Sequence, residues 1–177
     1  MKIKGLIDED FLQYKEPAMF IITSYCSFKC EKEFGCTGLC QNSSLANSEI
    51  YNIDDQQIVD RFLSNLITKA VVFGGLEPFD QKEELYKLIK CFRKHTECDI
   101  VIYTGYKESE LVYEIDYLKQ FSNIIIKFGR YIPTLEHCFD NTLGVELASN
   151  NQYARKISWS TDENFTSFAK LSISQSR

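Results

Sequence analysis

The chain has 177 residues, 44% of them hydrophobic, with 13 Phe and 10 Tyr, which is enough to bury one ordinary core and predicts a single domain over residues 1–177. Its 20 Lys and Arg against 25 Asp and Glu leave a formal charge of -5; that excludes a broad electrostatic grip on nucleic acid or anionic lipid and points to a small molecule or a protein partner. No apolar stretch approaches the roughly 20 residues of a membrane helix, and residues 1–10 carry no cationic segment followed by an apolar one, so a cytoplasmic protein is expected.

Along the chain, residues 1–10 alternate charged and apolar side chains. Apolar or β-branched runs then recur at Met19–Thr23, Ala70–Phe73, Ile100–Tyr103 and Ile124–Phe128, with a weaker one at Leu143–Ala148. Runs this short and this continuous predict buried parallel strands, apolar on both faces. Between them, Asp54–Leu66 places Ile58, Val59, Phe62, Leu63 and Leu66 on one helical face, and Gln81–Lys94 does the same with Leu85, Leu88, Ile89 and Phe92. Glu108–Phe121 is a third helical stretch, and Asp54 and Asp80 stand where N-caps would. Strand and helix alternate, so the predicted class is α/β with a mostly parallel sheet, and ligands are expected at the carboxyl ends of its strands.

Each unusual motif follows one of those strands. After the first come four cysteines within 15 residues, Cys26, Cys30, Cys36 and Cys40, out of seven in the chain. A reducing compartment disfavours a disulfide framework, so converging thiolates predict a metal centre. Zinc is one reading, through two C-x3-C pairs. A 4Fe-4S cluster fits a single loop at a strand end at least as well, since structural zinc knuckles usually lie further apart. The second strand ends in Gly74-Gly75-Leu76-Glu77-Pro78, where glycines let backbone approach a ligand and the carboxylate accepts hydrogen bonds. Tyr103-Thr104-Gly105-Tyr106, Gly129-Arg130-Tyr131 and Asn150-Asn151-Gln152 follow later runs. Any one of these is an ordinary turn; together, at one sheet edge facing the cysteines, they predict a shared ligand cleft.

In order and spacing these motifs resemble the radical S-adenosylmethionine superfamily, and within it the activating enzymes of anaerobic (class III) ribonucleotide reductase. The match runs over about residues 18–157, leaving 158–177 as a C-terminal extension. The resemblance implies a 4Fe-4S cluster-binding domain folded as a partial, open (β/α) barrel with a mostly parallel sheet. It also implies an oxidoreductase that cleaves S-adenosyl-L-methionine to a 5′-deoxyadenosyl radical, which takes hydrogen from a glycine of a glycyl radical enzyme subunit. A reducing electron donor such as flavodoxin or ferredoxin goes with that chemistry. Carried over by residue, Cys26, Cys30 and Cys40 ligate three irons and leave the fourth for the cofactor's amino and carboxylate groups, with Cys36 an alternative or additional ligand. Gly74, Gly75 and Glu77 match the motif that holds the methionine ammonium. Phe28 and Leu39 are implied near the cluster or adenine, Thr104 and Asn151 toward the sugar and carboxylate, and no catalytic side chain beyond the cluster ligands.

Two features depart from that pattern. Nine residues separate Cys30 from Cys40 where the family has two, and Lys127 stands before Gly129 in a segment where the family more often has an acid. The simplest expectation for Lys127 is a strand-end side chain extended to solvent, and the alternative is a changed contact to cofactor or partner. Two rivals stay open: a radical enzyme acting on a small molecule, and a non-catalytic iron-sulfur or zinc module. His95 and His137 have no partner motif; Cys91 reads as core, Cys98 and Cys138 as bystanders. The segment from Ser158 to Arg177, with Trp159, Phe165 and Phe168, reads as a terminal helix or a docking surface.

Overall fold

The computed structural model describes residues 1–35, 38, 40 and 42–158. Cys36, Leu39 and the aromatic residues at 159, 165 and 168 lie outside the described residues. In chain order the elements are β1 (Lys2–Asp10), β2 (Ala18–Thr23), α1 (Lys29–Phe34), β3 (Tyr51–Asn52), α2 (Asp55–Ser64), β4 (Ala70–Gly74) and α3 (Lys82–Arg93). They continue as β5 (Asp99–Tyr103), α4 (Val112–Leu118), β6 (Ile124–Phe128), β7 (Cys138–Asp140), β8 (Val145–Leu147) and β9 (Tyr153–Ile157).

Seven strands form one sheet in the order β3-β1-β2-β4-β5-β6-β9. Its centre, β2-β4-β5-β6, is parallel, whereas β1, β3 and β9 join antiparallel. The class is therefore α/β with a mixed, open sheet whose edges are β3 and β9. The four central strands coincide with the four strong apolar runs, as strands buried on both faces require. One expectation is corrected. The weak run at Leu143–Ala148 does not enter this sheet: its Val145–Leu147 pairs with β7 in a separate two-stranded hairpin. The parallel centre is flanked instead by β1 and then β3 on one side and by β9 on the other, strands that mix charged and apolar residues.

The helices cover one face. There Met19, Ile21, Val71, Phe73, Ile100, Ile102, Ile124 and Ile126 meet Ile58, Val59 and Phe62 of α2 and Leu85, Leu88, Ile89 and Phe92 of α3. Leu85, Leu88, Ile89 and Phe92 are fully buried, and each such side chain contributes about 1.5–3 kcal/mol of transfer free energy. The α2 helix ends at Ser64, two residues short of its apolar period, so Leu66 is 88% exposed rather than facing the core; Leu63, inside the helix, is also off the core face. Asp54 caps α2, accepting from Gln56 N. Asp80 caps nothing: a 3-10 turn, Pro78–Gln81, precedes α3, and Asp80 turns toward the cysteine loop. The third helical stretch splits into a 3-10 turn, Glu108–Glu110, and the short α4.

The opposite face is lined by smaller residues, Ala18, Ala70, Val72, Val101, Ile125 and Ala154. It is closed not by helices but by the β1–β2 connection and the β7–β8 hairpin. Tyr14 is buried there and donates to Asp99 at 2.8 Å, Tyr103 Oη donates to Gln13 O at 2.6 Å, and Lys15 N donates to Leu143 O at 2.7 Å. That filling stops below the carboxyl ends of the strands, which leaves a cavity above it. Among the described residues no helix is long and apolar enough to cross a membrane.

Candidate metal centre

The cysteine loop leaves β2 and is tied at once to the turn after β4. Ser24 N and Oγ donate to Gln81 Oε1 at 2.7 and 2.8 Å, Ser27 N to Asp80 Oδ2 at 2.6 Å, and Glu77 N to Tyr25 O at 2.9 Å. Tyr106 Oη, from the turn after β5, donates to the other oxygen of Asp80 at 2.5 Å. Asp80 thus joins three strand-end turns, a role that its position before a helical period conceals. Phe28 holds a left-handed conformation, φ 51, and its N–H reaches Cys26 Sγ at 3.3 Å before α1 carries Cys30. Non-glycine residues adopt that region at a cost of about 1–3 kcal/mol, so the loop spends stability to fix the path between two of its cysteines.

Cys26, Cys30 and Cys40 all line one cavity of about 420 Å³ at the carboxyl ends of β2, β4 and β5, where an open α/β sheet binds its ligands. The cavity also takes in Gly75, Glu77, Thr104 and Lys127. Cys40 N donates to Glu31 Oε1 at 3.2 Å, and Ser43 bonds back to Cys40 O, so the far end of the loop is fastened too. Interaction between the Cys30 and Cys40 thiols lowers Cys40 to about 7 and, with burial, raises Cys30, while burial pushes Cys26 up to about 12. Among the described residues no three His, Cys, Asp or Glu groups close on one point to hold a metal ion; the thiols stand around a space instead. Three soft donors around such a space fit an iron-sulfur cluster, three of whose irons they could hold.

Glu77 is buried and fully used. Its Oε1 accepts from Thr104 Oγ1 at 2.7 Å and Phe79 N at 3.1 Å, and its Oε2 from Gly105 N at 2.8 Å. Burial nevertheless outweighs these donors and raises its pKa to about 7. Gly75 has φ 78, and a Cβ there would lie 2.6 Å from Ile22 Cγ2, so only glycine brings this backbone to the cavity wall. Gly74 lies over Phe20, whose ring a Cβ would meet at 3.0 Å.

The remaining sequence candidates are spread. Asn151 donates to Arg130 O at 2.8 Å and lines a neighbouring cavity of about 510 Å³ that shares Cys30, Gly129 and Tyr131 with the first. Phe28 stands at the start of α1 and is not among the residues lining either cavity. Cys91 and Cys98 are partly buried against the helix-side core, and Cys138 against the opposite face. His95 closes the end of α3, and His137 is exposed, with Nδ1 3.9 Å from Glu146. Lys127 corrects the expectation of a solvent-reaching side chain: only 7% of it is exposed, and its Nζ donates to Gly129 O at 3.2 Å inside the cavity. Period-two alternation carried this signal. Ile124, Ile126 and Phe128 face the helices, so Ile125 and Lys127 must face the other side.

Comparison with curated proteins returned no match, and comparison with solved structures returned none. The family model described as 4Fe-4S single cluster domain matches residues 18–154, from the first residue of β2 into β9, and takes in the residues lining the cysteine cavity apart from Leu12 and Gln13. The chain belongs to the 4Fe-4S single cluster domain family.

Proposed function

We propose that this protein is a radical S-adenosylmethionine oxidoreductase of the glycyl-radical-activating type, with Cys26, Cys30 and Cys40 as the cluster ligands. The observation that carries the reading is the shared cavity: the three cysteines, Gly75, Glu77 and Thr104, which come from three separate turns, line one space. Held there by three thiolates, a cluster would pass one electron from an external reductant to bound S-adenosylmethionine, whose sulfonium C–S bond would break to give methionine and a 5′-deoxyadenosyl radical. The chain's own part is to hold and exclude. Gly75 brings unshielded backbone to the cavity, where its polar groups meet the cofactor's amino acid portion. Glu77 locks the β4 and β5 turns together through Thr104 and Gly105, and its carboxyl on the cavity wall would favour the cofactor's methionine ammonium by its charge. Phe20 and Tyr103 close the cavity below, and a radical is preserved where water is kept out.

The test is anaerobic reconstitution followed by reduction with S-adenosylmethionine. The reading expects 5′-deoxyadenosine, and a glycine-centred radical signal once a glycyl radical enzyme subunit is added. 5′-Deoxyadenosine without any glycine-centred signal moves the substrate to a small molecule. A loaded cluster that never cleaves the cofactor leaves a non-catalytic iron-sulfur module.

A further inference from the structure

The described residues lining the cysteine cavity include one cation, Lys127, that the proposed chemistry does not use. Lys127 pairs in register with Tyr103, and its Nζ lies 5.9 Å from the centre of that ring. It is the one cation among the described residues that line the cavity. An ammonium has three N–H donors, and its one hydrogen bond here goes to the carbonyl of Gly129. The described residues give Lys127 no carboxylate at ion-pair distance: Glu77 spends both oxygens on Thr104, Phe79 and Gly105, and the Glu146 side chain is 68% exposed. A buried ammonium without a counter-charge is costly. Burial accordingly lowers its pKa to about 8, and Glu77, Cys138 and Cys30 are near enough to oppose that shift.

We propose that Lys127 is the counter-ion of the cluster, an ammonium inside the cysteine cavity that raises the potential at which the cluster accepts its electron. The inference rests on the family assignment and on Cys26, Cys30 and Cys40 as ligands; it does not need the S-adenosylmethionine chemistry. Reduction brings one electron from an external donor and adds one negative charge to the cluster, with no bond made or broken. A nearby cation stabilises the more negative form more, and net charge around a cluster is one of the terms that set its potential. Low local dielectric strengthens the effect relative to a surface lysine. The same residue explains how this chain tolerates Lys where an acid is more usual: the charge it faces is the cluster's.

The test is a redox titration of reconstituted wild type, Lys127→Met, Lys127→Gln and Lys127→Arg, followed through the electron-spin signal of the reduced cluster. Lys127→Met and Lys127→Gln are expected to show about a tenfold smaller one-electron reduction constant, a midpoint about 59 mV more negative, while Lys127→Arg stays near wild type. Equal cluster content with an unchanged midpoint in Lys127→Met overturns the proposal. Should both neutral variants fail to hold a cluster while Lys127→Arg holds one, the charge is needed even to retain the cluster, which supports the counter-ion role. Loss in all three shows a packing role and overturns it. A wild-type chain that takes up no iron and sulfide removes the ligand assignment itself, and the counter-ion with it.

Discussion

Glu77 gives a sharp physical prediction, because burial and hydrogen bonding pull its carboxyl in opposite directions and burial wins. Its pKa is raised to about 7 from an ordinary value of 4.5. A carboxyl whose folded pKa lies above its unfolded one binds its proton more tightly in the folded state. The stabilisation is therefore fully present below about pH 4.5 and is lost as pH rises through about 7. At 1.36 kcal/mol per pKa unit, the metal-free protein should lose about 2–3 kcal/mol between about pH 5 and pH 8 through this group. Urea unfolding of wild type and Glu77→Gln across that range measures it. The variant is destabilised throughout, since its amide meets donors already aimed at the carboxylate, but the loss of stability on raising pH should be smaller than in wild type by the Glu77 contribution. An equal slope in both proteins would refute the reasoning, and would mean that the bonds from Thr104, Gly105 and Phe79 keep the carboxylate ionised.

Two further predictions concern the walls of the site and the neighbouring cavity. Gly75→Ala must place a Cβ 2.6 Å from Ile22 at φ 78, so it should lose about 1–3 kcal/mol in urea unfolding, with a smaller loss in Gly74→Ala, where the Phe20 ring at 3.0 Å and Tyr103 Cβ at 3.3 Å must give and φ is not positive. Glu110, held by Arg130 at 2.6 and 2.8 Å, has its pKa lowered to about 2. Its contribution is present above about pH 4.5 and lost as pH falls toward 2. Glu110→Gln should therefore flatten the acid limb of the stability profile, with a salt-sensitive effect because the pair is partly exposed.

The centre of this fold was readable because β2, β4, β5 and β6 are apolar on both faces and need no neighbour to be recognised. The edges were harder. Strand β9, Tyr-Ala-Arg-Lys-Ile, exists through its pairing with β6, and β1 through β2; half of each faces away from the core, so composition says little. The run at 143–148 misled for the opposite reason, being apolar enough for a sheet yet used to cover one. At the site, the residue types that bind soft metals are visible in any sequence, as are glycines next to a carboxylate. That Cys26, Cys30, Gly75, Glu77 and Thr104 share one space follows from parallel strands ending at one edge. What stayed hidden were the roles set by three-dimensional neighbours: Asp80 joining three turns rather than capping a helix, and Lys127 turned inward. The second was available in principle, since its alternation with Ile124, Ile126 and Phe128 fixes its face.

The measurement that bears most directly on the account is iron and acid-labile sulfide content after anaerobic reconstitution, in wild type and in single Cys→Ala variants at 26, 30, 36 and 40. The account predicts a 4Fe-4S cluster in wild type, its loss in Cys26→Ala, Cys30→Ala and Cys40→Ala, and retention in Cys36→Ala. Full cluster content in Cys40→Ala with loss in Cys36→Ala would contradict the ligand set, and tight stoichiometric zinc without iron in wild type would contradict the cluster itself.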